Sequence, residues 1–135
     1  MDAFTWSNDY KVHIAQIDSQ HQHLVALVGR LIMAMKEGKG SDVLGRILTE
    51  VIGYTQTHFA TEEKLLRAHA YPGYAPHQQE HARLTKQVSA LHERFQKKEI
   101  ALTIEVAQFL KDWLIKHILG TDKQYSQFLL TKGVR

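Results

Sequence analysis

Five histidines and two carboxylates continue the apolar faces of four helical stretches in this 135-residue chain. On the first stretch His21 precedes Leu24 by three residues and Val28 by seven, and on the second His58 follows Thr55 by three. Side chains three or four positions apart share one face of a helix, so these imidazoles should point inward. A buried polar cluster carries a desolvation cost, which restricts the chain to folds that compensate it. The seven candidate residues are His21, His58, Glu62, His77, His81, His117 and Asp122.

The spacing of apolar residues predicts an all-α fold, an antiparallel up-down-up-down four-helix bundle with an N-terminal arm and a short C-terminal helix. We expect the first helix to begin near Asp18 or Ser19, the second at Ser41 and the third near Pro76. A final short helix should hold Tyr125. The helix breaks are expected at Gly38-Lys39-Gly40, residues 70–76, residues 96–99 and Gly120.

This topology would place the candidate residues at one end of the bundle. His21 is near the start of the first helix, His58 near the end of the second, His77 near the start of the third and His117 near the end of the fourth. In an up-down-up-down bundle these four places are adjacent. Asp122 follows the predicted end of the fourth helix, from where a short side chain can turn back towards the cluster.

The types of donor in this set indicate the metal. Imidazole and carboxylate donors without sulfur select a short list of metals headed by iron, and a chain without cysteine can form neither disulfides nor sulfur-ligated clusters. Two near-octahedral ions offer roughly twelve positions, of which five imidazoles, two bridging carboxylates and a bridging oxide or hydroxide fill all but about one. A dinuclear site with one open position is therefore expected. Zinc is disfavoured because it prefers about four ligands.

Composition and charge exclude several other classes of protein. The net charge of +3 is small and the basic residues are scattered, so no nucleic-acid partner is expected. No stretch reaches the roughly 18 apolar residues of a membrane span, and the amino terminus lacks the pattern of a signal peptide. We predict a cytoplasmic protein with a single domain over residues 1–135.

A histidine on an apolar face is more often a hydrogen-bonded core residue than a metal ligand, and an isolated pair four residues apart has little weight. The metal interpretation depends on five imidazoles and a carboxylate coinciding at one end of a bundle, where their burial needs compensation. The remaining histidines fall off the apolar stripes or outside the helices and are predicted to lie on the surface: His13, His23, His69 and His92.

The motifs strongly resemble the hemerythrin family in its bacterial form. The resemblance is carried by Trp6, residues 17–21 (IDSQH), residues 58–63 (HFATEE), Tyr71-Pro72, residues 113–117 (WLIKH), and the candidate donors with Tyr125. It implies a non-haem, oxo- or hydroxo-bridged di-iron centre. It also implies that one iron is held by His77, His81 and His117, that the other is held by His21 and His58, and that Glu62 and Asp122 bridge them. Three departures from the family pattern are His13, where glycine is common, Gly29-Arg30, where asparagine is frequent, and Leu65-Leu66, where methionine is often seen.

The resemblance further implies dioxygen as the ligand, bound at the iron with two histidines. An apolar pocket would favour reversible binding, and its candidate residues are Leu24, Phe59, Trp113, Leu114 and Ile118, although such side chains are usually only core. We therefore predict an oxygen-binding protein and not an enzyme, for storage, transport or delivery to an oxygen-consuming protein. The alternatives are a sensor of oxygen or redox state and a di-iron enzyme acting on peroxide or nitric oxide.

Overall fold

The computed structural model of the chain describes residues 4–99 and 104–135, without the side chains of residues 118–120. A short 3-10 helix lies in the N-terminal arm, and a π-helical segment joins α4 to α5. No strand occurs within the described ranges. The elements are the 3-10 helix Asn8–Tyr10, α1 Ala15–Lys36, α2 Ser41–Ala68, α3 Tyr74–Gln96, α4 Ile104–Ile115, the π segment Lys116–Asp122 and α5 Lys123–Thr131.

The long helices form the predicted antiparallel four-helix bundle. Helix α1 packs against α2 and α4, and α2 packs against α3. One apolar cluster fills the interior between them, because each helix carries apolar residues at intervals of three and four on its inner face. Its fully buried members are Val28, Leu31, Leu48, Val51, Val88, Leu110 and Leu114.

A second apolar cluster lies beyond the end of the bundle that carries the candidate donors. It joins the arm to the helices and contains Val12, Ile14, Ile17, Leu66, Tyr125 and Leu129. On α1 the polar His21 stands between Ile17 of this cluster and Leu24 of the main core. On α2 Glu62 stands between Phe59 of the main core and Leu66 of the second cluster. The candidate donors therefore form a polar layer between two apolar ones.

Helix α1 begins at Ala15, three residues before the predicted start at Asp18. The Asp18 carboxylate lies in the first turn and accepts hydrogen bonds from the backbone N–H of Val12 at 2.8 Å and of His13 at 3.1 Å. It therefore ties the arm to the helix. His13 lies in the left-handed region with φ of 66°, a conformation that favours glycine.

The predicted break at Gly120 is wrong. The chain continues from α4 through the π segment into α5, and Asp122 keeps helical dihedral angles of −74° and −31°. A π turn forms hydrogen bonds between residues five apart, so it accommodates one additional residue without ending the helix. Helices α4 and α5 are therefore joined by the π segment into one continuous helix, with the π segment at the level of the polar layer.

Candidate metal centre

The structure brings all seven predicted residues together at one end of the bundle. Helix α1 supplies His21, α2 supplies His58 and Glu62, α3 supplies His77 and His81, and the π segment supplies His117 and Asp122. All are buried, and the most exposed of them, His77, has only 4% of its surface accessible. Such burial is unusual for a set with two carboxylates, which are rarely fully buried without partners.

The two carboxylates occupy the centre of the cluster. The Nε2 atom of every imidazole lies within 3.5 Å of an oxygen of Glu62 or Asp122. The distances to Asp122 are 2.7 Å from His21, 2.9 Å from His117 and 3.5 Å from His77, and those to Glu62 are 2.9 Å from His58 and 3.3 Å from His81. Five ring nitrogens therefore converge on two acidic groups.

The donor atoms form two overlapping groups, in each of which all ligand atoms lie within 4.8 Å of one another. Both groups contain Glu62 and Asp122, and carboxylates that bridge two ions must belong to both groups in this way. The structure places His117 in the group of His21 and His58, whereas the family resemblance assigns it to the ion held by the α3 histidines. The first group is His21, His58, Glu62, His117 and Asp122, and the second is Glu62, His77, His81 and Asp122.

Several buried polar atoms of the cluster have no hydrogen-bond partner among the described residues. They include Nε2 of His77 and of His81 and Oδ1 of Asp122, whose contacts of 3.3–3.5 Å within the cluster do not have hydrogen-bond geometry. Buried polar atoms in folded proteins are nearly always paired, so a group of unpaired lone-pair donors indicates a cation as the partner. Nitrogen and oxygen donors with no sulfur suit iron, and the residues present fit the metal that the sequence predicts.

The electrostatics of the cluster keep both carboxylates charged. Burial would raise the pKa of Glu62, but His58 and His117 outweigh it and hold that pKa well below its ordinary value. Burial disfavours the charged form of His117, yet Asp122 and Glu62 outweigh burial and raise its pKa to about 10. Burial lowers the pKa of His21. Without a metal the two carboxylate charges are balanced in part by protonated His117, and a bound cation would take the place of that proton.

Three residues beyond the seven form hydrogen bonds to them. The Nδ1 atom of His58 lies 2.8 Å from Oε1 of Gln20, and the Nδ1 atom of His81 lies 3.1 Å from a Glu63 oxygen. The Tyr125 hydroxyl donates a short hydrogen bond to Glu62. Sequence reasoning assigned none of these contacts, although Gln20 and Glu63 directly adjoin a candidate donor in the chain.

Comparison with known proteins agrees with this geometry. The family model of the hemerythrin HHE cation binding domain matches residues 12–129. The chain belongs to the hemerythrin family. It is 33% identical to the bacteriohemerythrin of Stenotrophomonas maltophilia, over 93% of this chain and 81% of the relative. It is 28% identical to the bacteriohemerythrin of Methylococcus capsulatus, over 96% of this chain and 98% of that protein.

Structures of hemerythrins show the same fold. A crystal structure of wild-type hemerythrin superposes with a TM-score of 0.84 at 26% identity, covering 93% of this chain and 97% of the other. Myohemerythrin-1 of Phascolopsis gouldii is 26% identical over 92% of each chain. The predicted resemblance and the predicted bundle are confirmed.

Among the described helices, none is long and apolar enough to cross a membrane.

Four of the five residues predicted to line a ligand pocket in this hemerythrin-family chain belong to the main apolar core. Leu24, Trp113 and Leu114 are at most 5% exposed. The Phe59 ring stacks on the imidazole of His81, with centroids 3.9 Å apart and planes 8° from parallel. The side chain of Ile118 lies outside the described residues. A role for these residues in shaping a ligand site stays a prediction.

The four other histidines lie apart from the buried cluster. His13 and His23 are exposed, and the His23 ring lies 4.1 Å from that of Tyr54. His69 and His92 are partly exposed, and each forms a hydrogen bond to a neighbouring oxygen. His23 is two positions from His21, so it provides an exposed histidine on the same helix for comparison with the buried one.

Proposed function

We propose that this hemerythrin-family chain holds two iron ions between the seven buried residues and binds dioxygen reversibly there. The observation that carries the proposal is the shared position of Glu62 and Asp122, which belong to both groups of donor atoms. Two carboxylates common to two sets of imidazoles are suited to a pair of ions and not to a single one. We further propose that residues 1–135 form one hemerythrin-like domain.

Two ferrous ions bound at these residues would supply two electrons and an open coordination position for a small ligand. The contribution of the protein is to orient the donors and to exclude water. Five neutral imidazoles against two carboxylates favour the ferrous state, because each anionic donor stabilises the more highly charged ion. The division of the histidines as three and two, which the family resemblance implies, stays part of this proposal.

Reversible binding also requires that the surroundings donate no further proton to the ligand. The Tyr125 hydroxyl adjoins the cluster, and its proton is already donated to Glu62. Burial raises the pKa of Tyr125 well above its ordinary value, and the negative charges of Asp122 and Glu62 raise it further. Of the residues proposed to line the ligand pocket, Leu24, Phe59 and Leu114 carry no N–H or O–H group, whereas Trp113 carries a buried indole N–H that can donate a hydrogen bond. These features support a carrier more than an enzyme.

The test is the visible spectrum of protein loaded with ferrous iron without oxygen, recorded before oxygen is admitted, while it is present and after it is removed. We expect two irons per chain and an absorption band that appears with oxygen and disappears on its removal. A band that never appears, with direct and lasting conversion to the ferric form, would overturn reversible binding and favour a sensor or an enzyme. Rapid multiple turnover of peroxide or nitric oxide would identify the enzyme.

A pair of matched variants locates the site. His21→Ala should lose at least one iron per chain, because His21 lies 2.7 Å from the shared Asp122 carboxylate. His23→Ala should keep both irons, since His23 is exposed on the same helix. Loss of iron from both variants, or from neither, would contradict the ligand set. A cytoplasmic location and delivery of oxygen to a consuming protein stay predictions.

A further inference from the structure

The Gln20 side chain connects α1 to α2 beside the candidate metal centre. Its Oε1 atom lies 2.8 Å from Nδ1 of His58, and its Nε2 atom donates to the Thr61 hydroxyl at 3.1 Å. The Thr61 hydroxyl in turn donates to the backbone carbonyl of Thr57 at 3.1 Å. These three contacts form a chain of hydrogen bonds from the surface of α2 to the ring of a candidate ligand.

The direction of each hydrogen bond in this chain follows from the one before it. Because Thr61 uses its only proton on the Thr57 carbonyl, its oxygen is left as an acceptor, and only the amide NH2 of Gln20 can face it. The amide oxygen of Gln20 must then face His58 and accept a proton from Nδ1. A neutral His58 with its proton on Nδ1 has a free lone pair on Nε2, which points into the cluster.

The Nδ1 atom of His81 on α3 has a partner that needs no other residue to fix the direction of the hydrogen bond. The Nδ1 atom of His81 faces a carboxylate oxygen of Glu63 at 3.1 Å, and an ionised carboxylate can only accept. The Nδ1 atoms of His21 and His117 have no hydrogen-bond partner among the described side chains. Of these four imidazoles, His58 is therefore the one whose orientation depends on a group that could equally present a donor.

We propose that Thr61 and Gln20 are positioning residues that fix the His58 ring and the position of its proton, so that Nε2 is available to a metal ion. The proposal extends the proposed function, since it assigns residues that control one ligand of the same site. Partners of this kind typically change metal affinity by about 10- to 100-fold when they are removed. The Thr61 hydroxyl forms its hydrogen bonds with Gln20 and the Thr57 carbonyl, so its influence on His58 passes through Gln20.

The test measures the affinity of the full chain for Fe²⁺, without oxygen, by competition with a coloured chelator. Thr61→Val keeps the shape of the side chain but removes the acceptor that orients the Gln20 amide. We expect the more weakly bound of the two Fe²⁺ ions to bind about tenfold more weakly still. Gln20→Glu replaces the amide with a carboxylate that accepts from His58 in either orientation. In that background Thr61→Val should have no further effect.

This dependence on background distinguishes positioning from a packing effect. If Thr61→Val weakens binding equally in both backgrounds, or in neither, the proposal is wrong. Gln22→Glu places the same charge on an exposed position of α1 and shows how much of any change is due to charge alone. Thermal unfolding of each variant, with and without iron, separates lost affinity from lost folding.

The measurement also separates this proposal from the proposed function. The readout here is metal affinity and not oxygen binding. If the wild-type chain binds two irons but does not bind oxygen reversibly, the proposed function is wrong, and the role of Gln20 can still be tested. The reduction potential gives an independent second readout. We expect Gln20→Glu to lower it, since an anionic acceptor on His58 favours the ferric ion, whereas Gln22→Glu should change it little.

Discussion

Helix α2 and the continuous helix formed by α4, the π segment and α5 each supply a histidine and a carboxylate, but they position them in two different ways. Each contributes one histidine and one carboxylate to the buried cluster. On α2, His58 and Glu62 are four residues apart in a regular helix, whereas His117 and Asp122 are five apart in a π turn. In a regular helix a separation of five would direct the two side chains about 140° apart. The π turn brings them to one face.

The difference shows that a donor pair can be positioned by helix periodicity or by a local change in hydrogen-bond register. The first route places no special demand on the backbone, and its spacing is visible in the sequence. The second depends on one additional residue at the level of the site, and it shifts every later residue of α5 relative to α4. The packing of Tyr125 and Leu129 in the second apolar cluster follows from that shift.

Deleting Thr121 should have the largest effect, because it would convert the π turn to an α turn. His117 and the carboxylate would then be four residues apart as on α2, but α5 would rotate by about 100° and remove Tyr125 and Leu129 from their cluster. We expect the free energy of unfolding to fall by about 3–5 kcal/mol, measured by chemical denaturation. Deleting Thr131 at the end of α5 is the control. A stable Thr121 deletion with both irons would show that the π turn is dispensable.

Leu114→Ala tests the helical turn that leads into the π segment. Removing this fully buried side chain should cost about 2–5 kcal/mol and speed autoxidation, because the space it leaves admits water next to His117. Leu110→Ala is the matched control, since Leu110 is equally buried but one turn further from the site. Both variants should lose stability, and only Leu114→Ala should become ferric faster in air. Unchanged autoxidation would remove Leu114 from the ligand pocket.

Tyr125→Phe tests the hydrogen bond that joins the two donor-bearing regions, α5 to the Glu62 carboxylate of α2. Losing a hydrogen bond to a charged group should lower the free energy of unfolding of the metal-free chain by about 1.5–3 kcal/mol. Tyr71→Phe removes a hydroxyl from a neighbouring, partly exposed ring and should cost less. Equal losses in the two variants would mean that the bond to Glu62 adds nothing to stability.

His13→Gly should have the smallest effect and the opposite sign. The backbone at His13 is irregular, as in the π segment, but this residue positions no donor. Glycine should relieve the left-handed conformation and stabilise the chain by roughly 0.5–1 kcal/mol without changing iron content. His23→Gly, within regular α1, should instead destabilise by about 1 kcal/mol. Altered iron binding in His13→Gly would show that the arm affects the site.

The sequence was sufficient to predict the bundle and the proximity of the five histidines and Glu62, because both follow from apolar spacing, whereas Asp122 was placed by its position just after the fourth helix. Val51, Thr55, His58 and Glu62 continue one face of α2. The register of the π segment was not predictable, since apolar spacing carries no signal for a single turn with a different hydrogen-bond pattern, and Gly120 indicated a break instead. The contacts of Gln20 and Glu63 were also missed, because such side chains usually lie in solvent and only the docking of neighbouring helices directs them to a ring.

The seven donors are divided among α1, α2, α3 and the π segment, and His21 and Asp122 are 101 residues apart in the chain. Each of these four elements carries at least one donor, so a local opening that detaches any one of them dismantles the centre. The lifetime of the assembled centre is therefore limited by the least stable of the four elements, and amide hydrogen exchange along them would identify it.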